Sequence, residues 1–108
     1  MFIPFAPYGK TYAISGSASA STPVLIQYTP GLIKKAHYRV VNNGTVVIYL
    51  VLSSTATNAV VPTAGTPTYS MPIMPGAVEI IRGPEDAYAS VITSSGTSTV
   101  FITPGQGL

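Results

Sequence analysis

The sequence predicts an all-β fold: a single-domain antiparallel β-sandwich of Greek-key or jelly-roll type, with seven to eight strands. No window of the chain shows a sustained apolar period of 3.6 residues, which would be typical of a helix. The apolar residues instead form short runs rich in β-branched and aromatic side chains. Ten Gly and ten Pro residues are spread between these runs and mark turns.

Seven runs have the composition of strands, and a short run near residues 68–71 is a candidate eighth. The runs are residues 10–14, 23–28, 37–41, 45–52, 77–82, 87–93 and 98–103. The run at 45–52 is apolar on both faces, so we expect it to be central in the sandwich or covered by a partner. The Asn-Asn-Gly of residues 42–44 and the Ser-Ser-Gly-Thr of residues 94–97 predict tight hairpins. Residues 53–67 form a long polar loop that could reach out to a partner.

The chain divides into an extended N-terminal arm, residues 1–9, and a β-sandwich domain, residues 10–108. The arm is apolar, lacks a basic start and is interrupted by two prolines, so we expect no secretory signal. Two arrangements are consistent with this composition. The arm either reaches a neighbour, or it folds over its own core. In the first arrangement its anchors in partner pockets would be Phe2, Ile3, Phe5 and Tyr8.

Charge is scarce along this chain. Five bases and three acids make up 7% of the residues, whereas a typical soluble domain is about a quarter charged. Such a surface lacks the usual protection against association, which suggests that it is meant to be covered. There is one histidine and no cysteine, so we expect no metal site, no cofactor and no enzymatic activity.

The bases concentrate in one short segment. Lys34, Lys35 and Arg39 are three of the five, and Lys35, His37 and Arg39 share one face of the strand predicted there. The segment is either a solvated strand face or an electropositive stripe that docks on an acidic partner surface. No run of five or more bases exists, so we expect no nucleic-acid binding. The longest apolar run, residues 46–52, is far shorter than the about 20 residues of a membrane-spanning helix.

Four segments in order carry a resemblance to a known family. They are YRVVNNGTVV at residues 38–47, MPIMPGAVE at 71–79, AYASVI at 87–92 and TVFITPGQGL at 99–108. This order resembles the small decoration proteins, also called cement or staple proteins, on the heads of tailed bacteriophages. The resemblance covers roughly residues 35 to 108. It implies a β-sandwich outside an icosahedral shell that bridges neighbouring major capsid subunits as a dimer or trimer, and it carries over no catalytic residues.

Three functions are therefore considered. The first is a non-enzymatic virion structural protein, made in the host cytoplasm and located on the outer surface of the capsid, which stabilises the shell. The second is a carbohydrate- or receptor-binding module of a phage tail or fibre, which would require an exposed groove lined by some of the seven tyrosines. The third, a small hydrolase, would require His37 to meet one of three acids and a serine in space.

Overall fold

The computed structural model describes residues 4–27 and 35–107, which form one antiparallel β-sandwich, so the predicted fold class is confirmed. Of the partner-binding candidates, Phe2, Ile3 and Lys34 lie outside the described residues. Nine strands are present in the described chain. They are β1 (Ala6–Pro7), β2 (Tyr12–Gly16), β3 (Val24–Leu25), β4 (Lys35–Asn42), β5 (Ile48–Ser53), β6 (Met71–Ile73), β7 (Val78–Pro84), β8 (Tyr88–Thr93) and β9 (Ser98–Gln106).

The strands form two sheets that enclose the core. Sheet I has the order β7-β4-β9, and both β1 and β2 pair with the far edge of β9. Sheet II has the order β6-β5-β8-β3. Every pairing in both sheets is antiparallel.

The pairing is nested in a way that identifies the topology. Strand β5 pairs with β6, β4 with β7, β3 with β8, and β2 with β9. These four nested pairs are those of one long hairpin whose turn lies between β5 and β6. The additional pairs β4–β9 and β5–β8 connect the four pairs into two sheets. This is the connectivity of a jelly roll, the second of the two topologies that the sequence left open.

The first two strands together form one interrupted edge of sheet I. Pro7 pairs with Gly105, and Tyr12 pairs with Ile102, so the N-terminal strand has two more residues than β9 between these pairs. Residues 8–11 accommodate the excess as a bulge. Because β1 and β2 fill a single position in the sheet, the nine strands occupy the eight positions of the jelly roll.

The predicted hairpins at residues 42–44 and 94–97 are wrong. Strand β4 lies in sheet I and β5 in sheet II, and β8 and β9 are likewise in different sheets. Both segments therefore cross between sheets. Gly96 does have the expected positive φ of 77°, but Gly44 is required for another reason: a Cβ there would collide with the side chain of Ser98. Turn residues in a sequence indicate where the chain changes direction, but they do not indicate which strands pair.

The core lies between the sheets and is apolar apart from a few hydrogen-bonded groups. Sheet I contributes one set of alternate residues and sheet II the other, and the largest fully buried side chains include Tyr38, Val40, Ile102, Ile48, Ile73 and Val91. Of the predicted run at residues 45–52, the part from Ile48 onward forms β5, which lies in the middle of sheet II between β8 and β6. Ile48 faces the core, while Val51, on the opposite face of β5, is also buried.

The side chain of Tyr38 binds the segment that connects β7 in sheet I to β8 in sheet II. Its ring is fully buried, and its hydroxyl donates to the carbonyl oxygen of Pro84 and accepts from the backbone N–H of Ala87, with 3.1 Å between N and O. A Cβ at Gly83 would lie 3.3 Å from the Tyr38 ring, so glycine there lets the strand lie close against it. One phenol thus satisfies two backbone groups of the crossing.

We expect Tyr38→Phe to lower the free energy of unfolding by about 2 kcal/mol, because it leaves a buried N–H and a C=O without this partner. Chemical denaturation of the two proteins checks this value. Tyr69→Phe is the matched control, since Tyr69 is 96% exposed and should tolerate loss of its hydroxyl. Equal losses from the two substitutions would contradict the role given to Tyr38.

Candidate docking surface

The outward side of sheet I forms an open face. Its residues alternate with the core residues along each strand, and all of them are half-buried or exposed. They are Thr11, Ala13 and Ser15 along β2, Thr99, Phe101 and Thr103 on β9, His37, Arg39 and Val41 on β4, and Val78, Ile80 and Arg82 on β7. The centre of this open face is rich in hydroxyls, and Thr11 and Thr103 hydrogen-bond across the strands at 2.7 Å.

The charges on the open face are all positive. Arg39 is exposed on β4, and the strand register places Arg82 of β7 directly opposite His37. Glu79 is the only acidic residue in the strands of sheet I, and it alternates to the other side of β7. The predicted stripe therefore gains Arg82 from a strand more than forty residues away, a contribution that the local sequence could not indicate. Lys35 begins β4, and only its backbone is described.

His37 has a structural partner. Its Nδ1 accepts a hydrogen bond from the backbone N–H of Gly107, with 3.3 Å between the two nitrogens. This geometry requires Nδ1 to be unprotonated and ties the end of β9 to β4. His37 is half-buried and held by this hydrogen bond, and among the described side chains of the face Arg39 and Arg82 are exposed cations.

The N-terminal arm and the predicted electropositive stripe (the basic stripe) lie on the same sheet, with β9 between them. Pro7, Gly105, His37 and Arg82 form one row across β1, β9, β4 and β7. The described part of the arm lies on its own domain, and the N–H of Tyr8 donates to the carbonyl oxygen of Pro104 at 2.9 Å. Tyr8 is 45% exposed, whereas Phe5 is half-buried. Residues 4–9 of the arm therefore lie along the edge of their own sheet I, whereas the predicted anchors Phe2 and Ile3 lie outside the described residues.

Gly105 makes this docking possible. A Cβ at Gly105 would lie 2.6 Å from the ring atom Cζ of Phe5 and closer still to the carbonyl oxygen of Ala6. We therefore expect Gly105→Val to detach the arm while leaving the sandwich folded. Amide hydrogen exchange should show lost protection at Ala6 and Tyr8 and retained protection at Val40. Retained protection of the arm in this variant would contradict the close packing.

Sheet II is covered by its own chain. Residues 54–70 connect β5 to β6 and lie against the outward side of the sheet, where the N–H of buried Ala59 donates to Ser90 Oγ at 3.0 Å. Ser90 Oγ in turn donates to the carbonyl oxygen of Ser21 at 2.8 Å. The long loop expected to reach outward is thus anchored on sheet II, although its tip at residues 63–66 stays exposed.

Most of the exposed large apolar side chains belong to one segment of the chain. Six large ones are found among the described residues, and five belong to residues 60–78: Val60, Tyr69, Met71, Met74 and Val78. No sequence pattern marked these five residues in advance. The available signal was proline, because Pro67, Pro72 and Pro75 limit strand pairing in this segment to the three residues of β6.

No group of three or more His, Cys, Asp or Glu side chains in residues 4–27 and 36–107 is placed to hold a metal ion. Within the same part of the chain, no helix is long and apolar enough to cross a membrane. The arrangement supplies instead an open face with positive charge and hydroxyls, which suits non-covalent binding.

Known proteins add no identification. No protein-family model matches the chain, and no curated protein or solved structure is significantly similar to it. The interpretation of the open face therefore depends on its own residues.

Proposed function

We propose that this protein is a non-enzymatic structural protein of a phage virion. It decorates the outer surface of the capsid and stabilises the shell by bridging neighbouring major capsid subunits. The open face of sheet I lies towards the shell in this proposal. The host cytoplasm is the site of synthesis, and the active form is a homo-oligomer.

The observation that carries the proposal is the difference between the two sheets. Sheet II is covered by residues 54–70, whereas sheet I leaves its outward side open and carries Arg39 and Arg82 there, with Glu79 of β7 alternating to the other side. A face with one sign of charge orients an approaching partner of the opposite sign. An acidic patch on the capsid exterior is the matching surface.

The architecture and the composition give further support. Jelly rolls occur in viral capsid and lectin domains, although the fold alone does not determine a function. With eight charged residues in 108, this chain has little of the charge that keeps soluble proteins apart. A surface rich in hydroxyl groups and poor in charge is suited to being covered in a particle.

Stabilisation of the shell would follow from mass action. A protein that binds the assembled shell and not its separated subunits shifts the equilibrium towards assembly, in proportion to the logarithm of its concentration relative to Kd. This mechanism needs no chemical step and no bound cofactor. It needs contacts to more than one capsid subunit at once.

Co-sedimentation with expanded, undecorated phage heads tests the proposal. We expect the purified protein to pellet with heads in a saturable, stoichiometric way and to raise their melting temperature. Unassembled capsid subunits are the control and should not bind as tightly. Failure to bind any undecorated heads, together with specific binding to a glycan array, would replace the proposal with the carbohydrate-binding alternative.

One observation favours that alternative. A polar pocket of about 240 Å³ lies at the end of the sandwich where the chain crosses from β4 to β5 and from β8 to β9. Hydroxyl, amide and backbone groups line it, from Ser15, Asn43, Gly44, Thr45, Thr97, Ser98 and Thr99. An uncharged lining of this kind matches the hydroxyl groups of a saccharide. None of the seven tyrosines is in the lining, in contrast to the Tyr-lined groove that the sequence suggested for this function.

A further inference from the structure

Strand β7 is an open edge of sheet I. It is seven residues long, and within the described chain it pairs only with β4. A free antiparallel edge presents unpaired N–H and C=O groups and is a template for another strand. Natural edges are usually blocked by charged side chains, especially Lys, by Pro or by a bulge. The stretch Val78–Arg82 has no Lys, Pro or bulge, its charged residues are Glu79 and Arg82, and Pro84 comes only at the end of β7. Strand β6, the corresponding edge of sheet II, is three residues long with Pro72 at its centre.

The side chains of β7 permit pairing with a second copy. In an antiparallel pair, residues directly opposite each other lie on the same face of the sheet. A two-fold axis between two copies of one strand must therefore pass midway between a residue and the same residue of the second copy. An axis at Glu79 or at Arg82 would place like charges directly opposite each other, which is destabilising. An axis at Ile80 or Ile81 instead places two isoleucines opposite each other, and β-branched cross-strand pairs are favourable.

We propose that β7 is the pairing edge between two copies of this chain, joined antiparallel about a two-fold axis at Ile80 or Ile81. The two copies of sheet I become one continuous sheet. Val78 is the first residue of β7 and is 49% exposed, so it adds apolar surface at this edge. The inference rests on the oligomeric part of the proposed function and specifies its interface.

This pairing has a geometric consequence for the open face. A two-fold axis perpendicular to a sheet leaves each face on its own side. The open faces of the two copies therefore point in the same direction, and Arg39 and Arg82 of both copies lie on one surface. Such a dimer presents two equivalent docking faces side by side, which is the geometry needed to bridge two neighbouring subunits of a shell.

Single-cysteine variants test the interface, because the chain has no cysteine of its own. Ile80→Cys and Ile81→Cys should form disulfide-linked dimers under mild oxidation, at one of the two positions at least tenfold faster than Ala13→Cys. Ala13 is the matched control, since it is an exposed residue of β2 on the opposite edge of the same sheet. Circular dichroism confirms that each variant is folded.

Light scattering of the unmodified protein completes the test, with an expected mass of twice the 11.2 kDa of one chain. A monomer at all concentrations, or cross-linking no faster at residues 80 and 81 than at residue 13, would overturn the proposal. A dimer that cross-links through residue 13 would also overturn it. No shell is present in these experiments, so their failure is distinct from a failure to bind heads.

Discussion

Asn42→Ala should lower the free energy of unfolding by about 4 kcal/mol and the Tm by roughly 15 °C. The Asn42 amide is fully buried, and its Nδ2 donates to the carbonyl oxygens of Val46 and Ile73, each at 2.9 Å. Its Oδ1 accepts from the hydroxyl of buried Ser98. One side chain thus joins the ends of β4 and β6 to the segment before β5 and to the start of β9. Alanine would leave two buried polar groups and one part-buried polar group without this partner.

Two further substitutions make this prediction specific. Ser98→Ala removes one of the three hydrogen bonds, so we expect a loss of about 1 kcal/mol. Asn43→Ala is the matched control, because Asn43 is an exposed asparagine next in the chain, and the change should stay within about 0.5 kcal/mol. Denaturant titrations of the three variants should rank Asn42→Ala well below the other two. A loss for Asn42→Ala no larger than that for Ser98→Ala would contradict the bridging role.

Arg39→Glu should weaken binding to undecorated heads by roughly tenfold and slow association, because it reverses an exposed charge at the centre of the basic stripe. The affinity of the unmodified protein should fall with added salt, and the variant should lose part of that dependence. Binding isotherms at several ionic strengths measure both effects. Arg39 lies on β4 opposite Ile80, one strand in from the open edge of β7, so light scattering of the variant measures dimerisation separately from binding to heads.

The control variant changes the net charge of the protein by the same amount as Arg39→Glu, but on a different surface. Ala64→Glu combined with Thr66→Glu adds two negative charges at the exposed tip of the loop that covers sheet II. This double variant should bind heads nearly as well as the unmodified protein. Equal weakening by the two changes would show that net charge, and not the open face of sheet I, governs binding.

The sequence predicts the fold class well because strand composition is a local property. Alternation and β-branched runs placed β4, β5 and β7 to β9 within a few residues of their observed bounds. Pairing is not local. The turn signals at residues 42–44 and 94–97 predict hairpins because adjacent strands in a sequence usually pair, whereas a jelly roll sends successive strands to opposite sheets.

The candidate site was only partly predictable for the same reason. Alternation along β4 is sufficient to place His37 and Arg39 on one face. Three other features depend on the register between strands that are distant in the sequence. These are the position of Arg82 on the same face, the row of residues that joins the arm to the stripe through Gly105, and the hydrogen bond from Gly107 to His37. The cover over sheet II depends on Ser90 meeting Ala59, which no local pattern encodes.

A reconstruction of undecorated phage heads incubated with the purified protein is the most direct test of the central claim. The account predicts added density on the outside of the shell that fits the jelly roll, with Arg39 and Arg82 directed towards the capsid and sheet II away from it. It also predicts that each bound unit contacts at least two capsid subunits. Saturating protein that leaves no density on the shell, or density with sheet II against the capsid, would contradict it.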